Sequence, residues 1–378
     1  MNRSKLYLSA LIIVVVVGAL WYRQYKIYRT PVTESNDPEI QALLEPSSRE
    51  VTQTNGVLHS IPLDEVITGN PVKDGIPSID KPKFQSVGAA DQYLDDNGFG
   101  LAVEVNGEYR FYPYQILVWH EIVNETFNGQ DLLVTYCPLC FTGIVFERDF
   151  GGDAVEFGTS GKLWNSNLLM YDRTSDSLWS QALGEAVVGE RTGSKLKLYP
   201  SLTISWTSFK TEHPGGRVLS SDTGFSRDYT QDPYEPRGYY TSSTIMFPLS
   251  NEDSRLFSKA LVFGYKTDDA QKAFEKDAIE EVGVVNDQVG DEAVLIAWDP
   301  STETVRGYSR QVDTAVLTFT QGDDFLVDDQ TGSLWNYEGE AVSGDYRGRT
   351  LSSLVLENSF WFSWAASHPN TELFTSNE

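Results

Sequence analysis

Cysteine is scarce in this sequence, with two residues in a chain of 378. This number excludes a framework of several disulfide bonds and a zinc site built from four cysteines. A chain of this length buries enough apolar surface to fold as ordinary domains without such support. Any disulfide bond or bound metal ion would therefore serve a purpose other than holding the fold together.

Positive charge is scarce as well. The chain has 29 lysines and arginines against 54 aspartates and glutamates, a formal net charge of -25. A surface this negative repels phosphates, whereas nucleic-acid binding requires clustered lysines and arginines. We therefore expect no nucleic-acid partner, and the sequence does not identify a protein partner.

Several catalytic signatures are absent too. The sequence has no Gly-x-Ser-x-Gly elbow, no phosphate-binding loop and no His-Glu-x-x-His helix. It therefore supports no particular enzyme reaction, and whether the protein is an enzyme stays open.

The long apolar runs are limited to one stretch near the N-terminus. After a basic segment at 1–5, residues 6–22 are uncharged, mostly apolar and end in Trp-Tyr. This length is at the short end for a bilayer span, the aromatic pair suits the headgroup region, and no Ala-x-Ala-like cleavage site is present. We predict a single-pass transmembrane anchor, a flexible tether at 23–56 and a soluble domain outside the cytoplasm, although positive charge on both sides of the anchor does not distinguish its orientation.

Short strands and turns dominate the rest of the chain. A loop-rich segment covers 57–97, and Asn106-Gly107 between alternating apolar residues predicts a β-hairpin. A short helix is expected to begin at Pro113, with Ile116, Leu117, His120 and Val123 on one face. The expected fold class is α+β, predominantly β.

Two parts of the sequence resemble each other. Ser-Leu-Trp followed by Gly-Glu-Ala-Val-x-Gly occurs at 177–189 and again at 333–344. The spacing of Trp and His-Pro within 206–214 returns 155 positions later within 361–369, and Val123-Asn124 returns as Val285-Asn286 at an offset of 162. Agreement in this order indicates an internal duplication.

The duplication predicts two divergent tandem repeats that pack as a pseudo-two-fold pair. Repeat 1 covers 98–220, a connector covers 221–257 and repeat 2 covers 258–378. The two cysteines occur in repeat 1 alone, while repeat 2 has Trp-Asp-Pro at 298–300 nearby and no sulfur. Because repeat 2 can build the fold without cysteine, we expect any chemistry to lie in repeat 1.

Cys137 and Cys140 form a Cys-x-x-Cys motif between two apolar runs. A turn of this kind brings two sulfurs to one metal ion or into one disulfide bond. Two thiolates with the thioether of Met170 or the imidazole of His120 suit copper(I), whereas zinc usually takes four ligands. We predict a soft-metal site at these residues, with copper favoured over zinc.

Two alternatives to the metal site remain open. The pair can belong to a thiol-disulfide redox protein, although the β-branched run at 141–146 differs from the helix that follows such a pair in thioredoxins. It can also pack inertly within a non-catalytic interaction or scaffold module. His213 and His368 occupy matched places in both repeats, so we expect local structural roles for them.

A series of short motifs follows in order along the chain: Asp-Gly-Ile-Pro at 74–77, Trp-His-Glu-Ile-Val-Asn at 119–124, Val-Thr-Tyr-Cys-Pro-Leu-Cys at 134–140, Phe-Gly-Thr-Ser-Gly at 157–161, Asn-Ser-Asn at 165–167, Met-Tyr-Asp at 170–172, Ser-Leu-Trp at 177–179 and His-Pro at 213–214. With these motifs the chain resembles the family catalogued as domain of unknown function 3179, from about residue 60 to the end. Phe141 stands where that family usually shows Gly. The family has no assigned activity, so the resemblance implies no reaction.

Overall fold

The computed structural model describes residues 49–150, 153–322 and 324–376. The predicted basic segment, the anchor and most of the tether lie outside the described residues. Within the described ranges, no helix is long and apolar enough to cross a membrane. Thirty strands and five short α-helices make up the regular structure of these ranges, so the prediction of a predominantly β fold is confirmed.

The N-terminal part and the first half of the folded chain contain seventeen strands and three helices. They are β1 (Thr52–Thr54), β2 (Val57–His59), β3 (Ile67–Thr68), β4 (Phe84–Ser86), α1 (Val87–Ala90), β5 (Phe99–Val105), β6 (Glu108–Pro113), α2 (Tyr114–Leu117), β7 (Ile122–Phe127), β8 (Gln130–Cys137), β9 (Thr142–Glu147), β10 (Asp149–Phe150), β11 (Asp153–Ala154), β12 (Phe157–Trp164), β13 (Asn167–Asp172), β14 (Leu178–Ser180), β15 (Glu185–Val188), β16 (Leu202–Ser205), α3 (Trp206–Glu212) and β17 (Arg217–Leu219).

The second half contains thirteen strands and two helices. They are β18 (Leu261–Lys266), β19 (Gln271–Glu275), α4 (Lys276–Val282), β20 (Val284–Val289), β21 (Glu292–Asp299), β22 (Thr304–Ser309), β23 (Gln311–Val312), β24 (Ala315–Val316), β25 (Phe319–Gln321), β26 (Leu326–Asp328), β27 (Leu334–Trp335), β28 (Ala341–Ser343), β29 (Glu357–Phe360), α5 (Trp361–Ser367) and β30 (Glu372–Phe374). Short 3-10 helices lie at Leu63–Glu65 and Glu235–Arg237.

The sheets of the two halves use similar strand orders. In the first half they are β16-β5-β6-β17-β4, β7-β8-β9 and β1-β2-β15-β14-β13-β12-β3, and in the second half β29-β18-β19-β30, β20-β21-β22 and β25-β26-β27-β28. In the five-stranded sheet of the first half, the pair β6/β17 is parallel, and in the sheet β29-β18-β19-β30 of the second half, the pair β19/β30 is parallel. The other pairs in these two sheets are antiparallel. The small sheets β10-β11 and β23-β24 extend from the three-stranded sheets.

The hairpin prediction at Asn106-Gly107 is confirmed. The two residues connect β5 to β6 with φ angles of 54° and 82°, and Val105 pairs with Glu108 across the turn. Positive φ at both central positions matches the twist of the flanking strands.

The helix prediction at Pro113 is right in place but wrong in extent. The helix α2 ends at Leu117, so His120 and Val123 do not share its face. Glu121 has a φ of 59°, which interrupts the helical path. The β-branched residues that follow then pair with β8, where Val123 faces Val134.

A buried apolar cluster, which we call the sulfur cluster, joins the two halves at the cysteines. Most of its members come from β7 to β15, but the connector and β29–α5 also contribute side chains. Its buried members are Ile122, Leu133, Cys137, Leu139, Cys140, Ile144, Phe146, Val155, Phe157, Leu163, Leu168, Met170, Trp179, Ala186, Leu196, Tyr239, Phe360 and Phe362.

Hydrogen bonds also connect the halves at the same place. The Phe360 N–H donates to the Cys140 carbonyl at 2.8 Å, and the Asn358 side-chain amide donates to the Phe141 carbonyl at 2.7 Å. The Thr142 hydroxyl also donates to the Cys140 carbonyl, at 3.1 Å. A buried carbonyl without any donor costs about 1–3 kcal/mol. Strand β29 of the second half therefore completes the cysteine turn of the first half.

A buried carboxylate organises the β13–β14 turn. Asp172 is fully buried and accepts from the Ser175 N–H at 2.6 Å, the Ser175 hydroxyl at 2.7 Å and the Trp179 indole N–H at 3.0 Å. Arg191 lies 3.7 Å away and supplies positive charge. The carboxylate thus fixes both the turn and the Trp179 ring.

The β26–β27 turn has the same arrangement. Asp328 is fully buried and accepts from the Thr331 N–H at 2.7 Å, the Thr331 hydroxyl at 2.8 Å and the Trp335 indole N–H at 3.0 Å. A charged acceptor with several donors is strongly held because charge-assisted hydrogen bonds are about twice as strong as neutral ones.

We expect Asp172→Ala and Asp328→Ala each to lower the free energy of unfolding by about 3 kcal/mol, because several buried donors lose their acceptor at once. Urea titration followed by tryptophan fluorescence measures both changes. Asp222→Ala is the control, since Asp222 is exposed, has no positive φ and pairs with the exposed Lys83. A loss in either buried variant no larger than in the control contradicts the expectation.

Candidate functional site

The two cysteines lie at the ends of a tight turn between paired strands. Cys137 is the last residue of β8, and one residue, Phe141, separates Cys140 from the start of β9. The Cys140 N–H donates to the Cys137 carbonyl at 3.1 Å. Phe141 then has a φ of 53°, a left-handed conformation that favours glycine. This turn directs both side chains into the sulfur cluster.

The two sulfurs touch but are not bonded. Their Sγ–Sγ distance is 3.1 Å, whereas a disulfide bond measures about 2.05 Å, and both cysteines are free. Cys137 is 1% exposed and Cys140 is 0% exposed. Solvent therefore does not reach either sulfur.

Polar groups favour the charged form of both sulfurs. The Asn167 side-chain amide donates to Cys140 Sγ at 3.3 Å, and the backbone of Leu168 acts to lower the pKa of Cys137. Burial raises the pKa of Cys137 well above its ordinary value, and the neighbouring Cys140 raises it further. The Cys137 thiol is thus protonated at neutral pH, while groups that favour a thiolate are already in place.

Met170 belongs to the same apolar cluster as the cysteines. It is fully buried on β13 and is a member of the sulfur cluster. Because side chains alternate along a strand, Met170 and Leu168, also a member of the cluster, share one face of β13. The structure therefore brings three soft sulfur atoms into one apolar cluster.

His120 is held by other groups. Its Nδ1 lies 2.7 Å from the Pro77 carbonyl, and its Nε2 lies 2.7 Å from the Tyr229 hydroxyl. Burial lowers the pKa of His120, so the imidazole is neutral at physiological pH. Among the described residues, no three His, Cys, Asp or Glu side chains converge on a metal position, so His120 does not complete a group with the two cysteines.

Glu121 is a candidate that sequence reasoning missed. Its side chain is buried, its φ is 59°, and burial raises its pKa to about 8. When it is ionised, its charge raises the pKa of both Cys137 and Tyr234. The residue 162 positions later is Gly283, with a φ of 75°. Aligning the two copies at this offset could have identified Glu121, because glutamate then stands at a position where the other copy has a glycine with positive φ.

Tyrosines of the connector cover the sulfurs and were also missed. The Tyr239 hydroxyl donates to the Leu139 carbonyl at 2.9 Å, and burial together with Cys140 and Cys137 raises the pKa of Tyr239. Burial, Glu121 and Cys137 do the same for Tyr234. No motif surrounds these tyrosines, and they lie about 100 residues from the turn, so their position could not be predicted from local sequence.

Comparison with known proteins gives one family match. A family model described as "Protein of unknown function (DUF3179)" matches residues 73–371. No curated protein and no solved structure matches the chain.

We expect Glu121→Gly to raise the free energy of unfolding by about 1 kcal/mol, because glycine adopts a left-handed φ at little cost and the buried carboxyl is removed. Urea titration measures the change. Asn106→Gly is the control, since asparagine tolerates its φ of 54° and little should change. Lower stability of Glu121→Gly would show instead that the carboxyl stabilises the fold.

The pH dependence of Glu121→Gln tests the raised pKa. Glu121 has a folded pKa of about 8 against an ordinary value of 4.5, so its favourable contribution is complete below about pH 4.5 and is lost as pH rises through about 8. Glutamine stays neutral throughout. The wild-type protein should therefore lose stability relative to Glu121→Gln over this interval, by a few kcal/mol in order of magnitude. If urea titrations show a difference in the free energy of unfolding between the two proteins that does not vary with pH, the raised pKa of Glu121 is contradicted.

Proposed function

The chain belongs to the DUF3179 family of proteins of unknown function, and we propose that this member is a membrane-anchored protein that binds copper(I) through Cys137, Cys140 and Met170. The observation that carries the proposal is that two touching thiols belong to the same buried apolar cluster as the thioether of Met170. Soft sulfur ligands select copper(I) over hard cations.

The donor set favours copper over zinc. Zinc in structural sites takes four ligands, whereas copper(I) is stable with few ligands when they are sulfur. A metal with bonds of about 2.3 Å to both thiolates would hold them farther apart than the observed 3.1 Å. Binding therefore includes a small opening of the turn between Cys137 and Cys140.

The surroundings suit a pair of thiolates. Metal binding requires the thiols to lose their protons, and the Asn167 amide and the Leu168 backbone then stabilise the sulfur charge. Hydrogen bonds of this kind orient metal ligands and tune the metal. The buried, apolar walls exclude water and other ligands.

We also propose that the two halves arose by duplication and pack about a pseudo-two-fold axis, as repeat 1 (98–220) and repeat 2 (258–378) with the connector (221–257) between them. Similar sheet orders support this arrangement. Reciprocal contacts support it too, since β29 packs on β9 while β16 packs on β22. Where β16 packs on β22, Ser208 Oγ donates to the Thr302 carbonyl at 2.7 Å. Where β29 packs on β9, the Phe360 N–H donates to the Cys140 carbonyl.

The counterpart of the cysteine turn supports a special role for sulfur. At the offset of 162, Asp299 to Thr302 takes the place of Cys137 to Cys140. Thr302 Oγ1 donates to the Asp299 carboxylate at 2.7 Å, and Glu303 has a φ of 51°, close to that of Phe141. A hydrogen bond thus closes the turn where sulfur is absent, so folding alone does not require the cysteines.

Localisation remains part of the proposal. Residues 6–22 are the proposed anchor and 23–56 the tether, with the folded part outside the cytoplasm. The apolar run and its terminal aromatic pair support this arrangement.

A thiol-disulfide protein is the second candidate. The Sγ–Sγ contact of 3.1 Å favours it, since disulfide formation needs only a small approach of the sulfurs. The two electrons and two protons released would pass to an external oxidant such as the disulfide bond of a partner protein. The burial of both thiols and the raised pKa of Cys137 oppose it, because reactive cysteines are partly exposed and have lowered pKa values.

Copper(I) titration of the reduced full-length protein against a chromogenic copper(I) chelator tests the proposal. We expect the wild-type protein to retain a copper ion, Cys137→Ser and Cys140→Ser to lose it, and Met170→Leu to bind about tenfold more weakly. Met246→Leu is the matched control, because Met246 is 43% exposed.

Equal copper retention in all variants overturns the copper site. Thiol counting in the same preparations separates the second candidate. Loss of both thiols under mild oxidation, their recovery on reduction and no copper retention would together favour the redox function.

A further inference from the structure

The sulfur pair is closed off by a single stretch of the connector. Cys137 and Cys140 are buried, and so are Leu139 within their turn and Tyr239 above it. Tyr234, Tyr240, Ile245, Phe247 and Leu249 pack on the sulfur cluster from outside. Any ion or reagent that reaches the sulfurs from this side must displace part of residues 234–249.

This stretch has few ties to the rest of the protein. It contains one 3-10 helix, Glu235–Arg237, which ends at Gly238 with a φ of 58°, and no strand. Its backbone-to-backbone hydrogen bonds, among the described residues, join residues of the stretch to each other. It therefore rests on the sulfur cluster through side chains and is not part of any sheet.

Firm attachments flank the stretch on both sides. Before it, the Trp119 indole N–H donates to the Gln231 carbonyl at 3.0 Å. After it, Asn165 Oδ1 accepts from the Ser250 N–H at 2.8 Å and from the Ser250 hydroxyl at 2.7 Å. A segment held at both ends and loosely in between can open locally while the halves stay folded.

A small set of bonds holds its centre down. The Tyr239 hydroxyl donates to the carbonyl of Leu139, the residue before Cys140. The buried Lys259 ammonium donates to the Tyr239 carbonyl and lies 3.4 Å from the centre of the Tyr239 ring. Tyr239 thus contacts the cysteine turn through its hydroxyl and Lys259 through its carbonyl and its ring.

We propose that residues 234–249 form a lid over the sulfur pair, with the hydrogen bond from Tyr239 to Leu139 as its latch and Gly238 as a hinge. Opening of the lid admits soft ions or thiol reagents to Cys137 and Cys140 without unfolding either half. The inference goes beyond the copper proposal, because access to the thiols is needed whatever chemistry they perform.

Labelling of the metal-free, reduced full-length protein with 5,5′-dithiobis(2-nitrobenzoic acid) tests the lid. Tyr239→Phe removes the latch and should speed labelling about fivefold, the equivalent of one lost hydrogen bond. Lys259→Met releases the other side of Tyr239 and should also speed it. Tyr308→Phe is the matched control, because it removes a buried hydroxyl that donates to the Tyr337 carbonyl at 2.6 Å in the second half.

The dependence of labelling on urea separates local opening from unfolding. Opening of a lid exposes little surface, so the labelling rate should rise only weakly with urea, whereas global unfolding gives a steep rise. The lid is overturned if Tyr239→Phe and Tyr308→Phe speed labelling equally, if neither does, or if the wild-type rate follows global unfolding. Because no metal is present, failure of this test is distinct from failure of the copper proposal.

Discussion

The hydrogen bond from the Phe360 N–H to the Cys140 carbonyl is the contact on which the arrangement of the site depends. A turn that buries two thiols also buries its carbonyls, which need hydrogen-bond donors, and the Thr142 hydroxyl next to the turn supplies one to the Cys140 carbonyl at 3.1 Å. Strand β29 supplies further donors through its backbone and through Asn358. The position of the sulfurs, the packing of the halves and the burial of the site therefore have one common cause.

Local patterns predicted part of this structure and failed where distant contacts decide. Asn106-Gly107 fixed a hairpin because its turn preference is intrinsic. The helix after Pro113 was expected to continue through His120, but Glu121 adopts a left-handed φ and the β-branched residues beyond it pair with β8. Local propensity carried no information about that pairing.

Some residues of the candidate site could likewise be identified from local sequence, whereas others depend on tertiary contacts. The spacing of Cys137 and Cys140 pointed to two sulfurs that touch in the structure, and the rarity of methionine pointed to Met170, which lies in the same apolar cluster. His120 was a candidate by residue type alone, and its hydrogen bonds to Pro77 and Tyr229 could not be foreseen because both partners lie far away in sequence. The lid is invisible in sequence for the same reason, since its tyrosines contact the turn only through the tertiary fold.

The reliance of the turn on β29 has a consequence for biosynthesis. The side-chain partners of Phe141 and Thr142 lie 217 residues farther along the chain. Contacts of such high sequence separation form late, and domains made during synthesis fold from the N-terminus onward. A ribosome-bound chain that has not yet produced residue 357 therefore lacks the hydrogen bonds from Asn358 and Phe360 to the cysteine turn. The final segment of the protein completes a turn that the earlier residues begin.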